Sequence, residues 1–458
     1  MNRRTFISSA LVATLAPQLK SEQRKSVPEI YTKRLSDEYD VDVFVAGGGP
    51  AGVCAAVAAA RAGASVFMAE ASGAFGGAAT AAYVPAFATF SDGHRQIVGG
   101  IGGEIRGRIS KDVPPSAYWT PIDLEELKRV YDDLVVKAGV KFSFFTNLCD
   151  VIVCDGHVER AVLSSKRGLF AVRAKMFIDC TGDGDLAAFA GARFEKGDEN
   201  GTVMPCTLCS QWVDIDTSQK NPHAQTLLPK AIEDGVFSVP DLHLPGFFFG
   251  PTKGSSIGRG NIGHAFNVDP NDERSLTVGM IDARRRLPEY ERFYKTYLKG
   301  YERMALASTA PYMGVRESRR IVCDHMLGVK DFLARADFED GIGRYCYPVD
   351  IHPSKPGDRE AFKAFLKEYT KDLSYKAGES YGIPYRSLVV KGFDNVLVAG
   401  RCMGSDRKMQ ASIRVMPGCF ITGQAAGTAA ELALKAGDTR AVDVVALRKA
   451  LAAAGAIL

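Results

Sequence analysis

The 458-residue chain lacks a long apolar run, a charge bias and low-complexity tracts. No stretch approaches the roughly 20 apolar residues that a membrane-spanning helix needs, so a membrane span is not expected. The formal net charge is only +4 and acidic residues interleave with basic ones, leaving no basic face of the kind that binds nucleic acid. Hydrophobic residues make up 46% and charged residues 24%, the balance of a folded globular protein rather than a disordered one. The ten cysteines are spread too thinly over this length for a disulfide scaffold. Cys206 and Cys209 form one CxxC, but no second close Cys/His pair accompanies them, so no metal site is expected. Because Thr202 to Val213 reads as a strand, the two thiols should point to opposite faces, which disfavours a redox dithiol. No internal repeat is present.

Glycine, by contrast, is abundant at 46 residues, often in pairs and triplets where backbone must approach something closely. The chain opens with Arg3-Arg4 just before an apolar run from Ile7 to Ala16, the order of residues in a twin-arginine export signal. Residues 1–40 are therefore expected to be signal and linker, and the mature chain periplasmic. At this length two intimately joined domains are the expectation.

The strongest motif begins at Val41. Val41 to Ala46 is a buried-strand pattern, followed by Gly47-Gly-Gly-Pro-Ala-Gly52 and a helix-forming run from Val53 to Ala62. Gly47 permits the tight turn, Gly49 lets backbone approach a diphosphate, and Gly52 lets helix and strand pack closely. With Pro50 and Ala51 they present the N-terminus of a helix to the phosphate charge. A second strand, Ala64 to Ala69, ends at Glu70, placed to accept both hydroxyls of an adenosine ribose. No second strand-turn-helix fingerprint follows, since Gly99-Gly-Ile-Gly-Gly103 lacks the preceding strand, so a built-in nicotinamide domain is not expected.

Three further segments set the kind of dinucleotide. Gly73-Ala-Phe-Gly-Gly-Ala-Ala-Thr80 is a second glycine-rich turn. Lys175 to Asp185 is a strand ending in Thr181-Gly182-Asp183. Asn395-Val-Leu-Val-Ala-Gly-Arg401 is a strand-and-glycine element, followed by a small-residue helix from Gly418 to Ala430. Together with Gly314 to Ile321, Tyr347 to His352, Ser380 to Arg386 and Ser412 to Met416, these resemble the FAD-dependent oxidoreductase family with a single dinucleotide fold. That family lies in the glutathione-reductase-like superfamily and is distantly similar to fumarate reductase flavoproteins. The resemblance implies FAD, held additionally by Ala71, Gly76, Gly77, Ala78, Thr80, Cys149, Thr181, Gly182, Asp183, Gly400, Arg401, Gly418, Gln424 and Ala425. It also implies an α/β fold: a Rossmann-like FAD-binding domain from residues 41–197 and 383–458, with a strand-rich α+β substrate region from 198–382 inserted between them. It does not imply a substrate.

Oxidation of a C–H bond by flavin needs a base and a group that anchors the substrate. His352 is the candidate base. In an extended segment Asp350 projects on the same side and should raise the histidine pKa. Arg316 is the candidate anchor, with Arg320 on the same face if the segment is helical, and Tyr381, Tyr385 and His264 are secondary donors. Arg414 would balance charge on the flavin. The expected activity is hydride transfer from a small polar molecule, with electrons passing to a quinone, a carrier protein or oxygen. Two alternatives are a non-redox hydration or isomerisation with structural FAD, and a thiol–disulfide carrier using Cys206 and Cys209.

Overall fold

A computed structural model describes residues 32, 34–114, 116–243, 256–357, 360, 363–365, 367 and 373–458. The arginine pair and apolar run of the expected export signal lie outside them.

Alternating apolar runs rich in Val, Phe and Ile form the strands of one seven-stranded sheet. Its spatial order is Lys141–Ser143, Val66–Ala69, Asp37–Ala46, Gly168–Asp179, His157–Ser165 and Asn147–Cys154, and Val396–Val398 pairs with Gly168–Asp179 beside this path. The first four run parallel, as does Val396–Val398, whereas the last two fold back as an antiparallel hairpin. Register sets Ala46 opposite both Ala69 and Asp179, and Val398 opposite Asp179. The carboxyl ends of four parallel strands thus meet at one edge, the place where open α/β sheets bind ligands.

The helix Pro50–Arg61 leaves the first strand at that edge and packs against Met416–Ala436, a helix contributed by the far end of the chain. Small residues allow an unusually close crossing. A Cβ added to Gly423 would lie 2.2 Å from the Ala51 carbonyl oxygen, and one added to Gly427 would lie 2.1 Å from that of Ala55. The helix begins at Met416 rather than Gly418, with Pro417 in its first turn, where a missing N–H costs nothing.

A second, separate core surrounds the three-stranded antiparallel sheet of Ser210–Val213, Gly258–Gly260 and Ala305–Thr309. Trp212, Leu228, Leu287, Phe293 and Tyr294 fill it, the last three from the charged helix Glu273–Tyr297. Residues from Ile321 to Ile351 belong instead to the main core. The expected strand from Thr202 is shorter than its pattern suggests. Only Ser210–Val213 is regular, because Cys206 and Thr207 make single bridges to Ala265 and Gly314.

Candidate functional site

The glycine turn fits a dinucleotide in detail. Gly47 has a φ of +91°, and a Cβ there would strike the Cys180 carbonyl oxygen at 2.7 Å. On Gly52 a Cβ would lie 1.8 Å from the Gly47 oxygen, whereas on Gly49 it would meet nothing within 4 Å. Gly52 therefore serves packing, and Gly49 faces open space. The helix ladder starts with Val53 N donating to Gly49 O, so the N–H groups of Ala51 and Gly52 precede it and are free for an anion. Glu70 accepts from Gly48 N and from Ser72 N, each at 2.7 Å, which holds its carboxylate against the turn.

Other cofactor candidates line the same strand ends. Gly76 N donates to Gly48 O at 2.8 Å, and a Cβ on Gly77 would be 3.1 Å from Gly49 Cα, so the second glycine turn lies on the first. Ala78 is exposed beside it, Ala71 is half-buried next to Glu70, and Thr80 donates to Phe75 O at 2.5 Å. Thr181, Gly182 and Asp183 form a half-exposed turn whose Thr181 N and Oγ1 donate to the buried Asp179. Arg401 pairs with Asp183 at 2.9 Å and donates to Ser318 Oγ, and Gly400 N donates to Thr422 Oγ1. Four candidates lie elsewhere. Gln424 accepts from Ile101 N and donates to Ala454 O, tying the helix Gly100–Ile109 and the last helix together. Gly418 and Ala425 sit within helix packing, and Cys149 is exposed on the edge strand Asn147–Cys154.

The candidate catalytic residues divide sharply. Asp350 and His352 come together as expected, Oδ2 to Nε2 at 3.4 Å. His352 Nδ1 lies 2.8 Å from His264 Nε2, and Asp241 Oδ2 lies 2.9 Å from His264 Nδ1, without hydrogen-bond geometry, so the Asp241 carboxylate stands behind the His264–His352–Asp350 chain. Arg414 Nη2 donates to Asp350 Oδ2 at 3.2 Å, and Tyr347 donates to the same oxygen at 3.3 Å. Tyr118, Trp119 and Tyr347 form an aromatic edge beside this carboxylate. The His243 ring stands edge-on to His352 with centroids 4.5 Å apart. Although spacing in the sequence offers no metal set, ligand atoms of His243, Asp350 and His352 all lie within 4.8 Å of one another.

The expected rise in the His352 pKa does not occur. Burial, followed by the charge of Arg316, pushes it well below the ordinary value, and these outweigh the carboxylate. Burial likewise takes His243 down to about 4. Arg316 is fully enclosed, and its guanidinium donates to three neutral acceptors: Pro205 O, Thr207 Oγ1 and Asn261 Oδ1.

Arg320 is not its partner. The segment is extended, with Arg319–Ile321 paired to Phe194–Lys196, and Arg320 binds Glu317 at 2.8 Å while Arg407 clamps that carboxylate from the other side. Glu317 also accepts from Met204 N, so this triad holds scaffold. Tyr381 is fully buried and shares a hydrogen bond with Ser412, and Tyr385 donates to Thr439 O, so neither reaches the His352 cluster. The thiols of Cys206 and Cys209 are both buried, and burial pushes each up to about 12, which removes the thiolate a disulfide carrier needs.

Sequence reasoning missed Asp241 and His243. The signal was available: Asp241-Leu-His243 repeats the spacing of Asp350-Ile-His352. A cavity of about 520 Å³ edged by Arg95, Arg335, Arg344 and Arg448 contains none of the candidate residues.

The dinucleotide turn at the strand ends defines the class, a dinucleotide-binding α/β protein, and comparison with known proteins gives the family. The model for FAD dependent oxidoreductases matches residues 42–451, and the chain belongs to that family. FAD is its cofactor. No curated protein matches the chain. Among solved structures, it is similar to a geranylgeranyl bacteriochlorophyll reductase-like protein from Thermoplasma acidophilum, at 15% identity over 90% of this chain and 83% of that one, TM-score 0.46. A flavin-dependent brominase is similar at 13% identity over 90% and 83%, TM-score 0.45. A p-nitrophenol 4-monooxygenase from Pseudomonas putida matches at 13% identity over 90% and 81%, TM-score 0.39.

Proposed function

We propose that the protein oxidises a small polar substrate at the cluster centred on His352 and hands the electrons to an external acceptor. Bound FAD supplies the acceptor for a hydride from a substrate C–H bond. The chain's own residues do the rest. His352, Asp350 and His243 face the substrate's oxygen and take part in loss of its proton, Arg316 and Arg414 hold negative charge, and the Tyr118–Trp119–Tyr347 edge excludes water. The observation that carries this reading is the link from Asp350 to Arg414, which ends two residues before the helix that begins at Met416. It ties the titratable cluster to an element of the FAD-binding core.

Electrons would leave to a quinone, a carrier protein or oxygen, since the sequence offers one dinucleotide fingerprint only. The arginine pair ahead of an apolar run supports export to the periplasm, which favours the first two.

The test is anaerobic. Purified protein is mixed with panels of hydroxy acids, sugars and amino alcohols while bleaching of the oxidised flavin spectrum is followed. His352→Ala is expected to retain FAD and lose bleaching. Undiminished reduction in that variant would remove His352 from the reaction.

A further inference from the structure

His352 Nε2 stands 3.4 Å from Asp350 Oδ2, and the other ring nitrogen of His352 lies 2.8 Å from His264 Nε2. His243 converges on the same point, one ligand atom from each of His243, Asp350 and His352 lying within 4.8 Å of the others. A proton shared between His352 and Asp350 would satisfy that one pair, but would leave unexplained why His243 converges there.

We propose that His243, Asp350 and His352 bind a divalent transition-metal ion. Metal–ligand bonds of about 2.0–2.2 Å put neighbouring donor atoms roughly 3–3.5 Å apart, a separation that His352 Nε2 and Asp350 Oδ2 already have. Two imidazoles and one carboxylate suit zinc, iron, cobalt or manganese better than calcium or magnesium, which take oxygen ligands. The outer contacts follow the same logic. With Nε2 on the metal, His352 has its remaining ring nitrogen 2.8 Å from His264, behind which the Asp241 carboxylate lies 2.9 Å away, while Arg414 and Tyr347 hold the Asp350 carboxylate in place. Three protein donors leave coordination positions open, as in catalytic rather than structural sites.

Resting on the oxidoreductase reading, an open position takes the hydroxyl or carbonyl oxygen of the substrate. Asp241 and Asp350 balance Arg316 and Arg414 in charge, so a bound dication leaves the site positive and favours a substrate that also carries a carboxylate.

The test uses the full-length, FAD-loaded protein, treated with chelator, passed through gel filtration and titrated calorimetrically with cobalt(II) chloride alone. One equivalent per chain is expected, with affinity lowered at least about tenfold in His243→Gln and in Asp350→Asn. The exposed His94 serves as control, and His94→Gln is expected to bind as the parent does. Failure to take up one equivalent, or affinity in both ligand variants equal to that of the parent, overturns the proposal. The flavin absorbance of each variant reports its fold. Should Asp350→Asn lose FAD, His243→Gln, at a partly exposed position, decides alone. Cobalt uptake is read without substrate or turnover, so the metal site and the redox reading stand or fall separately.

Discussion

Gly423 lies so close to Ala51 that a Cβ on the glycine would sit 2.2 Å from the alanine carbonyl oxygen. This contact joins a helix near residue 50 to one near residue 420 and brings the two ends of the chain into a single FAD-binding core. In Gly423→Ala the helices must part, an overpacking cost of about 1–3 kcal/mol. Scanning calorimetry should show a melting point lower by several degrees. An unchanged melting point would mean the crossing is looser than described.

Glu70 gives an acceptor to two turn amides, and Glu70→Ala leaves both without one. The loss of about 1–3 kcal/mol corresponds to FAD affinity roughly ten- to a hundredfold weaker. Flavin released on dialysis measures it, with far-UV circular dichroism expected to stay as in the parent. Full flavin retention would argue that the ribose is held by other groups.

Asp241 acts through His264 on His352, so it positions rather than reacts. Asp241→Asn removes the negative charge 2.9 Å from His264 and is expected to slow flavin reduction by about ten- to a hundredfold. FAD content should be unchanged, and Asp241→Glu should recover part of the rate. Loss of FAD along with the rate would reassign the residue to the scaffold.

Burial raises Asp179 to about 6, although it accepts hydrogen bonds from Thr181 and Ala187. A carboxyl with a folded pKa above its unfolded value near 3.9 adds stability that is complete below pH 3.9 and is lost as pH rises through about 6. The loss amounts to something on the order of 3 kcal/mol. Between pH 4 and 7, urea denaturation should find the stability of Asp179→Asn rising relative to the parent. A difference independent of pH would show that the folded-state carboxyl of Asp179 does not titrate near pH 6.

How much was legible in the sequence depended on the distance over which each feature is determined. The Gly47–Gly52 turn and Glu70 were readable because strand, turn, helix and next strand are contiguous and each glycine answers a local steric demand. Asp350 and His352 were readable because alternate residues of an extended segment share a side. Arg320 and Tyr381 were misjudged because their partners, Glu317 with Arg407 and Ser412, are selected by packing rather than by spacing. The His352 pKa was misjudged for the same reason, since Arg316, 36 positions away, and burial outweigh the neighbouring carboxylate.

By itself the sequence determined the dinucleotide turn, the kind of sheet around it and the pairing of Asp350 with His352, all products of local backbone geometry. Only the tertiary structure decided that Asp241 and His264 stand behind His352, that His243 faces it, and that Arg316 meets neutral acceptors. Those relations join residues up to about a hundred positions apart, and they exist only where packed helices and sheets exclude water and force polar groups to satisfy one another.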